Sequence, residues 1–174
     1  SELGNAWAIL CGCADQKKAM GICDQMNENP ILARSTLYGR YYIFRALEKC
    51  GRYDKFPDML DWWHMMLNSD LTTWPEEPYL ARSFCHAWSC SPGYEFLSQI
   101  LGVKPKKPGF QEVLIEPQSC GLKWAKGKVP IPGGMVEIEW SIVGDEMHMV
   151  LSVPSGIKYT VRSPENYKIV LKRN

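Results

Sequence analysis

The spacing of apolar residues changes near Gly102 and divides the chain into two parts. Before Gly102, apolar side chains recur every three or four residues, which is the spacing of one helix face. After Gly102 they alternate with polar residues, and proline and glycine interrupt short runs. The pattern predicts an α+β chain with a helical domain over 1–102 and a C-terminal strand domain over 103–174.

About five helices are predicted in the first part. Small polar residues that favour helix starts stand before four of them: Asn5, Asp15, Ser35 and Ser91. The third helix has a candidate core face made of Leu37, Tyr41, Phe44 and Leu47. The fourth has a candidate core face made of Phe56, Leu60, Trp63 and Leu67. The short connections between helices predict helical hairpins, which are the repeating units of an α/α barrel. An α-solenoid is also built from such hairpins, but the chain has no repeat of fixed period, so the barrel is favoured.

Six short strands are predicted in the second part, separated by glycine- and proline-containing turns. They are expected at Gln111–Glu116, Leu122–Val129, Met135–Val143, Met147–Val153, Ile157–Val161 and Tyr167–Leu171. The Lys-Pro-rich stretch 104–109 before them is interpreted as a linker. Because apolar and polar residues alternate within the runs, we expect an antiparallel β-sandwich with one buried face on each sheet.

Composition narrows the classes of partner. The chain has 20 Lys+Arg against 19 Asp+Glu, so no strong field favours nucleic acid or an anionic membrane, and a neutral partner is expected. No run is long enough for a membrane span. The seven cysteines lie mostly in apolar stretches without a paired CxxC spacing, so we expect free thiols and no metal or cofactor.

The strongest candidate site lies where helical periodicity lapses, between Asn68 and Cys90. There the run Thr72-Thr73-Trp74-Pro75-Glu76-Glu77 places carboxylates beside an indole. Glycoside hydrolysis needs a carboxyl group that handles a proton and a flat surface that holds the sugar. An exposed Glu-Glu pair is more often only solvated charge, and His86 and Trp88 could equally be core residues with one satisfied hydrogen bond.

Several motifs in the right order are similar to a known family. The run from Cys85 to Tyr94, CHAWSCSPGY, resembles the "CHAWS…SP" segment of glycoside hydrolase family 78 and its near relatives. Thr72–Glu76 resembles the family's Thr-Thr-x-x-Glu motif. The stretches PGF at 108–110, IEP at 115–117 and LKWAKG at 122–127 resemble the family's entry into a C-terminal β-sandwich.

The resemblance implies an inverting α-L-rhamnosidase built on an (α/α)6 barrel, acting on rhamnose-containing carbohydrate. In that family Glu76 matches the general base and His86 matches a sugar contact, while Trp74 and Trp88 are candidate walls of the same pocket. The general acid of the family comes from an earlier acidic segment that has no counterpart here. We therefore expect a C-terminal fragment that is inactive alone and that self-associates through helical faces which the parent protein would bury.

Two other functions stay open at this point. One is a non-catalytic carbohydrate-binding or structural module that presents Trp124 to a glycan, Trp140 being more typical of a core residue. The other is a related α/α-barrel hydrolase with a different sugar, because fold alone does not fix substrate. The sequence leaves the glycan and the cellular compartment undetermined.

Overall fold

The structure is a computed structural model that describes residues 1–164 and 166–172. The chain divides into two compact units, Ser1–Pro92 and Gly93–Asn174, and the boundary falls within the fifth helix. The α-helices are α1 Glu2–Leu10, α2 Gln16–Gln25, α3 Leu37–Lys49, α4 Asp61–Met66 and α5 Ser91–Glu95. The strands are β1 Val103–Pro105, β2 Glu112–Ile115, β3 Trp124–Ile131, β4 Gly134–Val143, β5 Glu146–Ser152, β6 Lys158–Val161 and β7 Lys168–Lys172.

Helix starts in the first unit follow local side-chain capping. Asp15 caps α2 as predicted, because its carboxylate accepts a hydrogen bond from Lys18 N at 2.8 Å. Helix α1 begins earlier than predicted, since Ser1 rather than Asn5 accepts from Gly4 N. For α3 the cap is Thr36, one residue beyond the predicted Ser35.

The core of the first unit lies between α1, α2, α3 and the segment around α4. Tyr41 was predicted on the core face of α3 but is exposed, because the buried face turns toward Arg40, Ile43 and Phe44 instead. Glu2 and Arg40 are charged side chains that are buried in this core together with their partners. The Glu2 carboxylate accepts from Ser35 N at 2.7 Å and from Asn27 N at 3.0 Å. Arg40 donates to the Met59 carbonyl at 3.1 Å and lies 3.4 Å from the Asp61 carboxylate, so both buried groups have hydrogen-bond partners and Arg40 also has an opposite charge nearby.

The predicted fourth helix is broken. Tyr53–Lys55 and Pro57–Leu60 form 3-10 turns, and only α4 is α-helical. Pro57 has no backbone N–H and therefore ends the hydrogen-bond ladder that a continuous helix needs. Phe56, Leu60 and Trp63 are buried as predicted, whereas Leu67 is exposed.

The second unit contains two mixed sheets, with strand orders β1-β2-β6 and β3-β4-β5-β7. The α+β class is confirmed, and each of the six predicted strands is present within a few residues of its predicted bounds. The predicted linker is in part a strand, β1, which pairs with β2. Alternation in β4 buries Val136, Ile138 and Trp140 and exposes Glu137 and Glu139, as expected.

The prediction of wholly antiparallel sheets is wrong. Strand β2 pairs with β6 in parallel, and β5 pairs with β7 in parallel. The reason is topological: after β5 the chain crosses to the other sheet to form β6, and β7 then returns beside β5 in the same direction. Strands joined by a crossover rather than a hairpin are free to be parallel.

Candidate functional site

The candidate site is one irregular segment, residues 72–90, folded against itself in the first unit. Two backbone hydrogen bonds join its two arms: Glu76 N donates to the Ser83 carbonyl at 2.9 Å, and His86 N donates to the Trp74 carbonyl at 2.8 Å. Thr73 Oγ1 adds a bond to the Phe84 carbonyl at 2.5 Å. These bonds place the predicted residue Trp74 beside His86, and they pair Glu76 with Ser83 on the facing arm.

Buried hydrogen bonds attach the segment to α4. Trp63 Nε1 donates to the Ser89 carbonyl at 2.7 Å, and Ser89 Oγ donates to the Pro75 carbonyl at 2.7 Å. Ser89 is buried and precedes α5 directly. A fully buried hydroxyl that joins two backbone segments restricts both of them, so the carbonyl next to Glu76 has a fixed position.

Glu76 differs sharply from its neighbour Glu77. The Glu76 residue is only 8% exposed, whereas Glu77 is exposed. A carboxylate removed from water needs a partner, and Glu76 Oε1 accepts a hydrogen bond from Arg82 Nη2 at 2.6 Å. This bond raises the pKa of Arg82 above its ordinary value. Glu76 is thus held at the edge of the protein interior, with the largely exposed Arg82 covering it.

Sequence reasoning gave Arg82 no role. Arg82 stands six residues after Glu76 in the same polar segment, and no spacing rule links two loop residues at that distance. Only the fold of the loop brings the guanidinium onto the carboxylate.

His86 and Trp88 are in direct ring contact. Their ring centroids are 4.0 Å apart and their planes are inclined by 40°. The Trp88 ring is 44% exposed, so it is not a core residue, while His86 is half-buried and its Nδ1 is buried without a hydrogen-bond partner in the described part of the chain. On the other side, Trp88 contacts Tyr38 of α3 with a centroid separation of 5.5 Å.

The cysteines and acidic residues do not build a metal site in the described ranges, where no group of three or more His, Cys, Asp or Glu side chains is arranged around a common point. All seven cysteines are free thiols. Across residues 1–164 and 166–172, the helices are too short or too polar to cross a bilayer.

Comparison with known proteins shows that the chain is similar to parts of α-L-rhamnosidases. Residues 102–173 match the family described as the bacterial alpha-L-rhamnosidase C-terminal domain. An alpha-L-rhamnosidase of Alteromonas sp. (strain LOR) is 27% identical over 158 residues, which cover 81% of this chain and 17% of that protein.

Solved structures agree with the sequence match. A family 78 rhamnosidase of Bacillus sp. GL1 superposes with a TM-score of 0.87 at 31% identity, over 98% of this chain and 20% of that chain. The alpha-L-rhamnosidase from Dictyoglumus thermophilum shares the fold, with a TM-score of 0.81 at 22% identity over 97% of this chain and 21% of that one. The chain therefore spans about a fifth of the length of these relatives.

A helical unit followed by two mixed sheets, with the motifs at 72–127 in order, is thus an architecture that this chain shares with one part of those rhamnosidases. Residues 102–173 match the rhamnosidase C-terminal family, and the superpositions extend the likeness over nearly the whole chain, which together support a C-terminal part of a glycoside hydrolase family 78 rhamnosidase. The resemblance found in the sequence is confirmed.

Proposed function

We propose that this chain supplies the general-base side of an inverting α-L-rhamnosidase site, with Glu76 as the base. The observation that carries the proposal is the environment of Glu76: the carboxylate is buried, paired with Arg82 at 2.6 Å, and connected through the loop to His86 and Trp88. An unpaired surface glutamate would have neither the burial nor the fixed position that proton transfer needs.

In the proposed reaction, Glu76 removes a proton from a water molecule as the water oxygen attacks the anomeric carbon of α-L-rhamnose. The bond from that carbon to the glycosidic oxygen breaks, and a carboxylic acid protonates the departing oxygen. The products are rhamnose of inverted configuration and the free alcohol. Base and acid stand about 6.5–9.5 Å apart in inverting enzymes to admit the water, so adjacent Glu77 is not proposed as the acid.

His86, Trp74 and Trp88 are proposed to contact the sugar. The Trp88 ring is partly exposed and stacked with His86 at 4.0 Å, so one rigid surface offers an aromatic face beside an imidazole. An aromatic face suits the C–H side of a pyranose, and the polar tip of an imidazole suits a sugar hydroxyl. The rhamnosidase names of the relatives favour rhamnose as that sugar.

The frame of this site is proposed to be the C-terminal portion of an (α/α)6 barrel, followed by a β-sandwich. The resemblance places the general acid in a segment that none of these 174 residues matches. We therefore propose that the chain alone binds rhamnosides and does not hydrolyse them, since general acid catalysis is worth about 10²–10⁴-fold in rate.

The test grafts this chain in place of the matching fifth of the Bacillus sp. GL1 rhamnosidase and follows an aryl α-L-rhamnoside by NMR. The anomer released first should be the inverted one. Glu76→Gln should lower kcat by about 10²–10⁴-fold, and Glu77→Gln, the matched control, should change it little. Equal losses for the two variants, or release of the retained anomer, would contradict the proposal.

The isolated chain tests the second half of the proposal. It should give no turnover of the same aryl rhamnoside. Measurable turnover that disappears in Glu76→Gln would show that the acid lies within the 174 residues.

A second candidate function is a carbohydrate-binding surface on the sheet unit. One observation favours it: Trp124 of β3 is 66% exposed, whereas Trp140 is buried and donates to the Ile100 carbonyl at 2.9 Å. Beside Trp124 on the same face, Lys126 pairs with Glu139 at 2.7 Å, leaving the surface without net charge from this pair. Quenching of tryptophan fluorescence by a rhamnose oligosaccharide, lost in Trp124→Leu, would support this function.

A further inference from the structure

A line of aromatic rings leads away from the candidate site across the first unit. From Trp88 the contacts continue to Tyr38 at 5.5 Å, from Tyr38 to Tyr42 at 5.7 Å, and from Tyr42 to Trp7 at 4.7 Å between ring centroids. We call these four residues the aromatic ridge. The ridge joins the loop 72–90 to α3 and α1, and it ends at the ring that stacks on His86.

The rings of the ridge are not required by the core. Trp7, Tyr38 and Trp88 are each exposed over more than two fifths of their surface, and the opposite side of α3 fills the interior. Aromatic side chains usually bury most of their large apolar area, so several half-exposed rings in contact mark an interaction surface.

Contacts along the ridge hold its rings in place before any ligand arrives. The hydroxyl groups of Tyr38 and Tyr42, one helical turn apart on α3, are hydrogen-bonded at 3.0 Å. Neighbouring rings are inclined by 36° to 77°, which gives a faceted surface. Fixed rings lose little conformational entropy on binding, so the ridge is preorganised.

Tyr41, which also lies on α3, differs from the rings of the ridge because its face is covered by a cation. The Arg45 guanidinium lies over the Tyr41 ring, 5.5 Å from its centroid, so that ring already has a cationic partner within the protein. The ridge itself combines apolar faces with phenol and indole groups, which are uncharged donors. This chemistry fits a neutral polyhydroxylated ring better than an ion.

We propose that the aromatic ridge binds the sugar residues that follow the terminal rhamnose, that is, the part of the substrate that leaves after cleavage. The inference rests on the proposed function, because it needs the rhamnose at Glu76 and His86. Its basis is continuity: Trp88 belongs both to the proposed rhamnose pocket and to the ridge, so a glycan whose first ring contacts Trp88 has Tyr38 next to it and Trp7 further on.

The test compares two neutral ligands on the 174-residue chain by calorimetry. The probes are methyl α-L-rhamnopyranoside and methyl β-rutinoside, which carries an α-L-rhamnose on a glucose. We expect the disaccharide to bind about three- to tenfold more tightly, since one added aromatic contact gives an affinity gain of this size. In Tyr38→Leu, which removes the ring next to Trp88, the ratio of the two dissociation constants should fall towards one, whereas Trp7→Leu, at the far end of the ridge, should change it less.

Tyr159→Leu is the matched control, since Tyr159 has nearly the same exposure as Tyr38 but lies on β6 in the other unit. It should leave the ratio unchanged, and circular dichroism should show that all variants keep their helix content. A ratio near one in the unaltered chain, or a ratio that survives Tyr38→Leu, would overturn the inference and leave the proposed function standing.

Two further outcomes have a defined meaning. Absence of binding by both glycosides would overturn the proposed function, and the ridge inference with it. A dimer that both ridge variants dissociate, without any sugar binding, would assign the ridge to contact with a second copy of the chain and overturn the inference as well.

Discussion

At the scale of single residues, burial controls the chemistry of the thiols. Cys23 is fully buried, and burial, together with the adjacent Cys50 thiol, raises its pKa from 9.0 to about 12. Cys11 and Cys13 lie at the surface. Only the thiolate reacts with alkylating agents, so the position of each cysteine determines its reactivity.

We therefore predict that iodoacetamide at about pH 8.5 labels Cys11 and Cys13 quickly and leaves Cys23 unlabelled until the protein unfolds. Peptide mass spectrometry measures the rates. Because the folded state favours the neutral Cys23 thiol, the stability that this thiol contributes is complete below pH 9.0. That stability is lost as the pH rises towards about 12. Equal labelling of the three cysteines in native protein would be contrary to this prediction.

Glu2 carries a second residue-scale prediction. Its buried carboxylate accepts from two backbone N–H groups, of Asn27 and Ser35. In Glu2→Gln one acceptor oxygen becomes an amide donor that faces an N–H group, so we expect the free energy of unfolding to fall by about 1–3 kcal/mol. Urea denaturation followed by circular dichroism measures the change.

Glu139→Gln is the control for this substitution, because Glu139 is exposed and its pair with Lys126 lies in solvent. The control should change stability by less than about 1 kcal/mol. If Glu2→Gln lowered the free energy of unfolding no more than Glu139→Gln, the two buried hydrogen bonds would stabilise the fold less than their geometry indicates.

At the scale of elements, two glycines separate backbone strain from steric clash. Gly102 and Gly109 have nearly the same positive φ, +72° and +66°. A Cβ added to Gly102 would lie 2.2 Å from backbone atoms of Glu116 and Pro117, while a Cβ at Gly109 meets nothing within 4 Å. Gly102 precedes β1, where its chain segment runs against the end of β2.

Accordingly, Gly109→Ala should cost about 1–2 kcal/mol through its left-handed backbone alone. Gly102→Ala should cost at least about 1–3 kcal/mol more, because backbone atoms cannot move aside as a side chain can. Thermal unfolding of the sheet unit, followed through the buried Trp140, compares the two variants. Similar melting temperatures for both would show that β1 tolerates the displacement.

Element existence was readable from sequence, but element pairing was not. The alternation Val-Glu-Ile-Glu-Trp at 136–140 identifies β4 because a strand repeats every two residues. No local pattern encodes the pairing of β5 with β7, because it depends on the strand between them in sequence, β6, joining the other sheet. For the same reason β1 was not predicted. Lys104 and Pro105 are typical of linkers, and they form a strand only because they pair with β2.

At the scale of the whole molecule, several large apolar side chains of the first unit lie in water. Leu80 is 99% exposed and Ile31 is 90% exposed. Exposed residues of this kind favour association, so we predict that the average mass in light scattering rises with protein concentration. Ile31→Ser with Leu80→Ser should reduce the rise, and Leu171→Ser, on the half-exposed β7 position, is the control. A constant monomer mass over the whole range would refute the prediction.

The sequence by itself determined the α+β class, the six strands it predicted, the residue types of the candidate site and the family, because these depend on local periodicity and on motifs in fixed order. Tertiary structure decided the rest. The pairing of Glu76 with Arg82, the parallel strands and the ring contacts that join α1, α3 and the loop 72–90 relate residues that are distant in sequence or that no spacing rule connects. Such contacts arise only when packing brings separate segments together, so the pattern of residues along the chain does not predict them.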